Sequence, residues 1–399
     1  MQGMRILFVA DGRSAIALNW IRYFIRAGHE VHLASSFPCQ AVDGLTSLAV
    51  IPAAFSEAKE GEGEAKAGGG VMGRLAKLLP VGARTMVRQW LGPLTLPRAA
   101  RKLRAVIEAV RPDLVHAMRI PYEGMLAAMA MEELADMPLL VSVWGNDFTL
   151  HATANPWMGR LTRRALMRAH ALHTDCQRDQ ALARKWGFAA EKPGIVLPGG
   201  GGIQMEVFYP AAQALEAPIV IQPRGVRAYV RNDTFFQAIP LVLKERPEVR
   251  FTCPAMAGVG LAEQWVNKLG IGAAVDLLPK LTRPQMAEQF QQAQVVLSIT
   301  THDGTPNTML EALACGCFPI AGEIESLREW IQPGVNGLLV DPGDPQALSQ
   351  AILQALGDEP LRAKAKDENL RLVREKAEHG AVMREAERFY FSRMRYDAT

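Results

Sequence analysis

The sequence predicts an α/β protein of two domains, each a parallel sheet with helices on both faces. Three observations predict it. Short apolar runs alternate with amphipathic helical stretches through both halves of the chain, the pattern of repeated βαβ units. At 399 residues the chain has the length of two to three domains and enough material for large cores. A glycine-rich break, Leu197-Pro-Gly-Gly-Gly-Gly202, falls near the middle, and a new apolar strand, Pro218-Ile-Val-Ile-Gln222, opens beyond it.

Met4-Arg-Ile-Leu-Phe-Val-Ala10 reads as a buried first strand. Ser14 to Arg26 reads as a helix whose apolar side is Ile16, Trp20, Ile21 and Phe24 at helical spacing. Gly28–Ala34, Asp113–Ala117 and Pro138–Val143 read as further strands. Glu57 to Gly70 is low in complexity and has no hydrophobic face, which predicts a mobile loop. Glycines 199–202 predict a hinge. The stretch from Glu359 to Thr399 is charged and predicted helical, with Phe389, Tyr390 and Phe391 near its end.

Hydrophobic content of 49%, charged content of 21% and a net charge of +3 describe a globular protein. No apolar run reaches the length of a membrane span, and no signal-peptide core follows Met1, so the expected location is the cytoplasm. Five scattered cysteines argue against a disulfide framework, and Cys315-Gly-Cys317 has no partner at metal-ligand spacing. No metal and no cofactor are expected.

Residues 295–344 carry the chemistry. An apolar strand, Val295 to Ile299, runs into a polar loop; a helix opens at about Asn307, and a second strand begins near Phe318. Bare N–H groups at a helix start favour an anion, and Gly304 lets a ligand approach the main chain. Glu311, one turn in, is placed to accept hydrogen bonds from a neutral polyol such as a ribose. A diphosphate flanked by sugars fits this arrangement.

The segment resembles the nucleotide-sugar site of retaining glycosyltransferases of family 4. The signature of an acid, seven residues and a Glu reads Asp303 and Glu311 here, followed by Ala-Leu-Ala-Cys-Gly-Cys-Phe-Pro319 and Asn336-Gly-Leu-Leu-Val340. The family usually has Glu where Asp303 stands, so the first acid here has a shorter reach. One extra residue lies between Gly316 and Pro319, and Gln204 stands where the family's linker has Asp. The resemblance implies the GT-B fold, two Rossmann-like domains with a deep interdomain cleft. Residues 1–202 would bind the acceptor, residues 203–379 the nucleotide sugar, and a helix over about 380–399 would return to the first domain.

It also implies roles for single residues. Asp303, Glu311 and Arg224 are the expected catalytic residues, with His116 as a further candidate. The donor is expected to meet Gly12, Arg224, Arg231, Asp303, Gly304, Thr305, Asn307, Thr308, Met309 and Glu311. Arg224 matches the family's phosphate-binding Arg; Arg231 lies near its Lys, with Arg227 as the spare. Asp11-Gly-Arg-Ser14 stands where the family has a Gly-rich loop, so Gly12 either approaches the phosphate or makes a plain turn. Arg13 and Asp147 are assigned to the acceptor side, with an N-cap as the alternative for Asp147. His116 either serves catalysis or sits in the core, because Met118 occupies the position the family more often uses. Trp144 replaces a family His.

Residues 73–111 hold nine Lys or Arg against one acid, Glu108, with Trp90 and several leucines interleaved. Such a surface suits anionic lipid headgroups, the inner face of a membrane in this setting, or forms solvated helices lining an acceptor cleft. No motif supports nucleic-acid binding. The expected function is transfer of a sugar, with retention, from a nucleoside-diphosphate sugar to a hydroxyl of a lipid-linked, glycolipid or polysaccharide precursor. The alternatives are a nucleotide-sugar epimerase of the same fold and a non-catalytic nucleotide-sugar binding protein.

Overall fold

A computed structural model describes residues 3–54, 81–212 and 217–394. The low-complexity stretch at 57–70 lies outside the described residues. The chain forms two compact units, residues 1–201 with 383–399, and residues 202–382.

The first unit is built on seven strands: β1 (Arg5–Ala10), β2 (Glu30–Ser35), β3 (Ser47–Val50), β4 (Leu114–Ala117), β5 (Leu139–Val143), β6 (Ala171–Thr174) and β7 (Gly194–Val196). They lie in the order β3-β2-β1-β4-β5-β6-β7, all parallel. Helices cover both faces, so β1, β4 and β5 are buried and read as continuous apolar runs. The first helix is Ala15–Arg26, capped by the Ser14 hydroxyl, with Trp20, Ile21 and Phe24 buried; Ala17 faces the core and Ile16 is half-buried.

The second unit has six parallel strands: β8 (Ile219–Ile221), β9 (Arg250–Cys253), β10 (Val275–Leu277), β11 (Val295–Ser298), β12 (Phe318–Gly322) and β13 (Leu338–Val340). Their order is β10-β9-β8-β11-β12-β13. In each sheet the strand order reverses beside the first strand, between β1 and β4 and between β8 and β11. Loops leaving the carboxyl ends of those neighbours diverge, which opens a crevice for ligands.

The charged carboxyl-terminal stretch is two helices, Glu359–Lys376 and His379–Met394. The break has a backbone cause: the Ile203 amide donates to Ala377 O at 2.6 Å, and the His379 amide donates to Ile203 O at 3.0 Å. Gly202 makes room for this, since a Cβ there would lie 2.6 Å from Ala377 O. The glycines expected to hinge are also held, because Trp20 Nε1 donates to Gly199 O and Asn19 to Gly200 O.

Candidate functional site

In the second unit, β8 and β11 are neighbours, and the loop after each is stitched to the other. The Arg231 amide donates to Ile299 O, and the Thr301 amide to Tyr229 O. This brings Arg224 to Asp303 at 2.6 Å, an ion pair that is almost wholly shielded from solvent. Tyr229 sits within hydrogen-bond reach of Arg224 and Arg227. Burial pushes the Tyr229 phenol up, and the two guanidiniums more than offset that, leaving it lowered. Asp303 spans its own turn by accepting the Gly304 amide, while its carbonyl accepts the Ser326 hydroxyl. Thr305 Oγ1 accepts from Trp330 Nε1 at 3.0 Å. These bonds fix the loop from which the helix Asn307–Ala314 starts.

The helix opens without a side-chain cap. Met309 and Leu310 amides turn back to Pro306 O, whereas the Asn307 and Thr308 amides have no backbone partner among the described residues. Asn307 Oδ1 is buried and takes no hydrogen bond within the protein. Met309 belongs to the core by its side chain. Glu311 is half-buried, with Arg283 at 3.5 Å. Burial lifts its carboxyl to about 7, against the opposing pull of Arg283. Arg231 is spent on Asp233, with two hydrogen bonds of 2.9 and 2.7 Å.

The first unit carries a cavity of about 270 Å³ beyond the carboxyl ends of β1, β4 and β5. Asp11, Arg88, Arg119, Tyr122, Glu123 and Trp144 are among its lining residues. Gly12 is explained by close packing: a Cβ would lie 2.4 Å from Cys39 Sγ, and its amide donates to Ser35 Oγ. Arg13 is held by both oxygens of Asp11 and lies 3.7 Å over the Phe37 ring. Asp147 is buried as a bracket, accepting from Arg119 Nε at 2.9 Å and from the amides of Ile120 and Trp144. Burial raises its pKa despite Arg119.

His116 is placed differently from a catalytic base. It is fully buried, with Tyr390 OH at 2.5 Å from Nδ1 and Ser142 Oγ at 2.7 Å from Nε2. The chain of bonds continues from Ser142 to His173 Nδ1 and from His173 Nε2 to Leu197 O. A carbonyl only accepts, so every proton along the chain follows: His173 donates to Leu197, Ser142 to His173, His116 to Ser142 and Tyr390 to His116. That is the setting of a structural histidine, and Met118 is the neighbour that reaches the cavity.

Residues 212–358 match the family described as glycosyl transferases group 1, and residues 12–199 match the glycosyl transferase 4-like domain. Together these matches take in most of the chain. The chain belongs to the group 1 glycosyl transferases. Its sheets and helices form the GT-B fold. Sucrose-phosphate synthase of Thermosynechococcus elongatus superposes with a TM-score of 0.74 over 98% of this chain and 99% of that one, at 15% identity. HepE of Anabaena, solved with UDP-glucose, gives 0.72 over 98% and 100% at 16% identity. Among curated relatives, the D-inositol 3-phosphate glycosyltransferase of Thermobispora bispora is 26% identical over 176 residues, 39% of this chain and 41% of that protein. That of Mycobacterium ulcerans is 29% identical over 192 residues, 45% of this chain and 40% of that protein. The matched stretches thus span less than half the length of these relatives.

Several residues of the two candidate regions escape the sequence reading. Arg283 sits in the first turn of its helix beside the Thr282–Gln285 capping box, which signals the helix but not its partner Glu311. Arg119 lies just past the carboxyl end of a strand, and that rule was the available signal; Trp144, named from the sequence as the replacement of a family His, lies just past another. Asp175, Cys176 and Asp179 come close enough to suggest a cation site. Arg178 already pairs with Asp179, and burial pushes the Cys176 thiol far up, a poor ligand set.

Proposed function

We propose that the protein transfers a sugar from a nucleoside-diphosphate sugar to a hydroxyl acceptor, with retention at the anomeric carbon. The observation that carries this reading is the placement, beside the β8/β11 reversal, of Arg224, the uncapped amides of Asn307 and Thr308, and Glu311. Arg224 is prepositioned by Asp303, so its charge needs no reorganisation as the diphosphate leaves. The helix amides meet the same developing charge. Glu311 is the carboxylate left to accept hydroxyls of the donor. No described carboxylate stands out as a nucleophile, so the acceptor attacks on the face the diphosphate leaves, and the phosphate helps take the proton.

The acceptor belongs to the first unit, with Asp11, Trp144 and the residues that Asp147 brackets in contact with it. A second feature supports a lipid-linked or envelope acceptor met at an anionic membrane surface. On the helix Val81–Leu91 and just beyond it, Met86, Trp90 and Leu94 are exposed by 55%, 55% and 61%, with Arg98, Arg101 and Lys102 exposed nearby. No helix of the described residues is long and apolar enough to cross a membrane.

HepE is solved with UDP-glucose, which makes UDP sugars the first donors to test. Titration with UDP, GDP and ADP sugars, followed by turnover assays with and without acceptor, tests the reading. An isomerised sugar from donor alone would point to an epimerase instead. Donor binding without transfer to any acceptor or water would point to a binding protein.

A further inference from the structure

We propose that the first-unit cavity recognises the acceptor by an anionic group, a phosphate or carboxylate, set against Arg88. This rests on the reading of the first unit as the acceptor side. The argument is a charge balance over the cavity wall. Two cations line it, Arg88 and Arg119, together with two acids, Asp11 and Glu123. Arg119 is taken by Asp147 at 2.9 Å and by Asn146 at 2.7 Å. Asp11 is taken by Arg13 through both oxygens. Glu123 is buried and accepts the Ser36 hydroxyl, and burial raises its pKa against the opposing pull of that bond and of the Arg88 and Arg119 charges; it makes no ion pair with Arg88. That leaves Arg88. It has no carboxylate partner among the described residues, and its buried Nε has no acceptor. It rests over the rings of Tyr122 at 4.4 Å and Phe37 at 5.4 Å, which hold a guanidinium in place without neutralising it.

Two further features mark this wall as built for a ligand. Tyr122 has φ 70 and ψ −59, a strained conformation for a non-glycine residue, and its hydroxyl donates to Arg88 O at 2.9 Å. The strained residue thus carries the backbone of the unpaired cation. Trp144 Nε1 is buried without an acceptor on the same cavity. An anion on Arg88 with neighbouring hydroxyls toward Trp144 Nε1 and Gln89 satisfies these groups together.

Calorimetric titration of the full chain tests this, using glucose 6-phosphate, glucuronate, glucose and inorganic phosphate as probes. The anionic sugars are expected to bind at least about tenfold more tightly than glucose, as a charge-assisted pair requires, with inorganic phosphate competing. Arg88→Gln should remove that preference and Arg88→Lys retain part of it, with melting curves confirming that both fold. A short-chain phosphatidic acid below its micelle concentration tells a lipid-borne phosphate from a soluble one. Equal affinity for glucose and its charged analogues, an unchanged preference in Arg88→Gln, or no binding of any anion overturns the proposal. UDP titrated into the same samples reports on the second unit. Its failure to bind would sink the transferase reading while the anion result is judged by itself.

Discussion

Arg224 and Asp303, 79 positions apart, meet at 2.6 Å in a setting where neither is more than 13% exposed. Each is therefore costly to strand. Asp303→Asn leaves a buried cation half-satisfied and should destabilise the protein by about 2–4 kcal/mol. Arg224→Ala should lower UDP affinity as well. The double variant is expected to lose less than the sum of the singles, read from chemical denaturation of all four proteins. Simple additivity would show that the pair does not act as a unit.

Glu311 sets function against stability. Its pKa is raised from an ordinary 4.5 to about 7, first by burial. The folded state therefore holds a proton that the unfolded state releases, and stability falls as pH rises from 4.5 through 7, by about 3 kcal/mol in all. Glu311→Gln should remove this loss, melting higher than the parent at pH 8 and equally at pH 4. The same variant should transfer sugar far more slowly. A variant that melts lower at pH 8, or keeps full activity, would contradict this assignment.

The buried pair His116 and His173 has the opposite sign. Burial depresses His173 to about 4 and His116 well below its usual value. Both stay neutral when folded, so the unfolded chain takes up the protons first. Stability is present above about pH 6.5 and lost as pH falls toward 4, by about 3 kcal/mol from His173 alone. Tyr390→Phe removes the donor to His116 Nδ1 and should cost about 1–3 kcal/mol at neutral pH. Thermal melts from pH 4 to 8 check both statements.

The exposed stripe predicts reversible, salt-sensitive membrane binding. Each cation near an anionic surface contributes roughly 1 kcal/mol, and the apolar stripe adds to it. Exchanging Trp90 and Leu94 for Ser, or Arg98 and Arg101 for Glu, should abolish co-sedimentation with anionic vesicles and spare UDP binding. Arg88 is kept out of this set because it lines the cavity rather than the stripe. Indifference of the parent protein to such vesicles at low salt would favour a soluble acceptor.

Strand and helix positions were legible along the chain because period, turn chemistry and capping are local properties. The start of β12 at Phe318 and the helix opening at Asn307 fall where the residues predict. The acid pair Asp303 and Glu311 was legible too, since a fixed spacing survives in one dimension. What each acid touches was not. Arg224 reaches Asp303 only because β8 lies beside β11, and Glu311 meets Arg283 only because the helix Arg283–Gln292 packs there. Likewise His116 lies in the strand read over Asp113–Ala117, yet Tyr390 meets it from 274 positions away and makes it part of the core. The sequence by itself determined which segments are strands, which loop carries the signature and how charge is distributed. Tertiary structure decided which charges are paired, which are left over and which histidine is dry, because those depend on strand order and on burial.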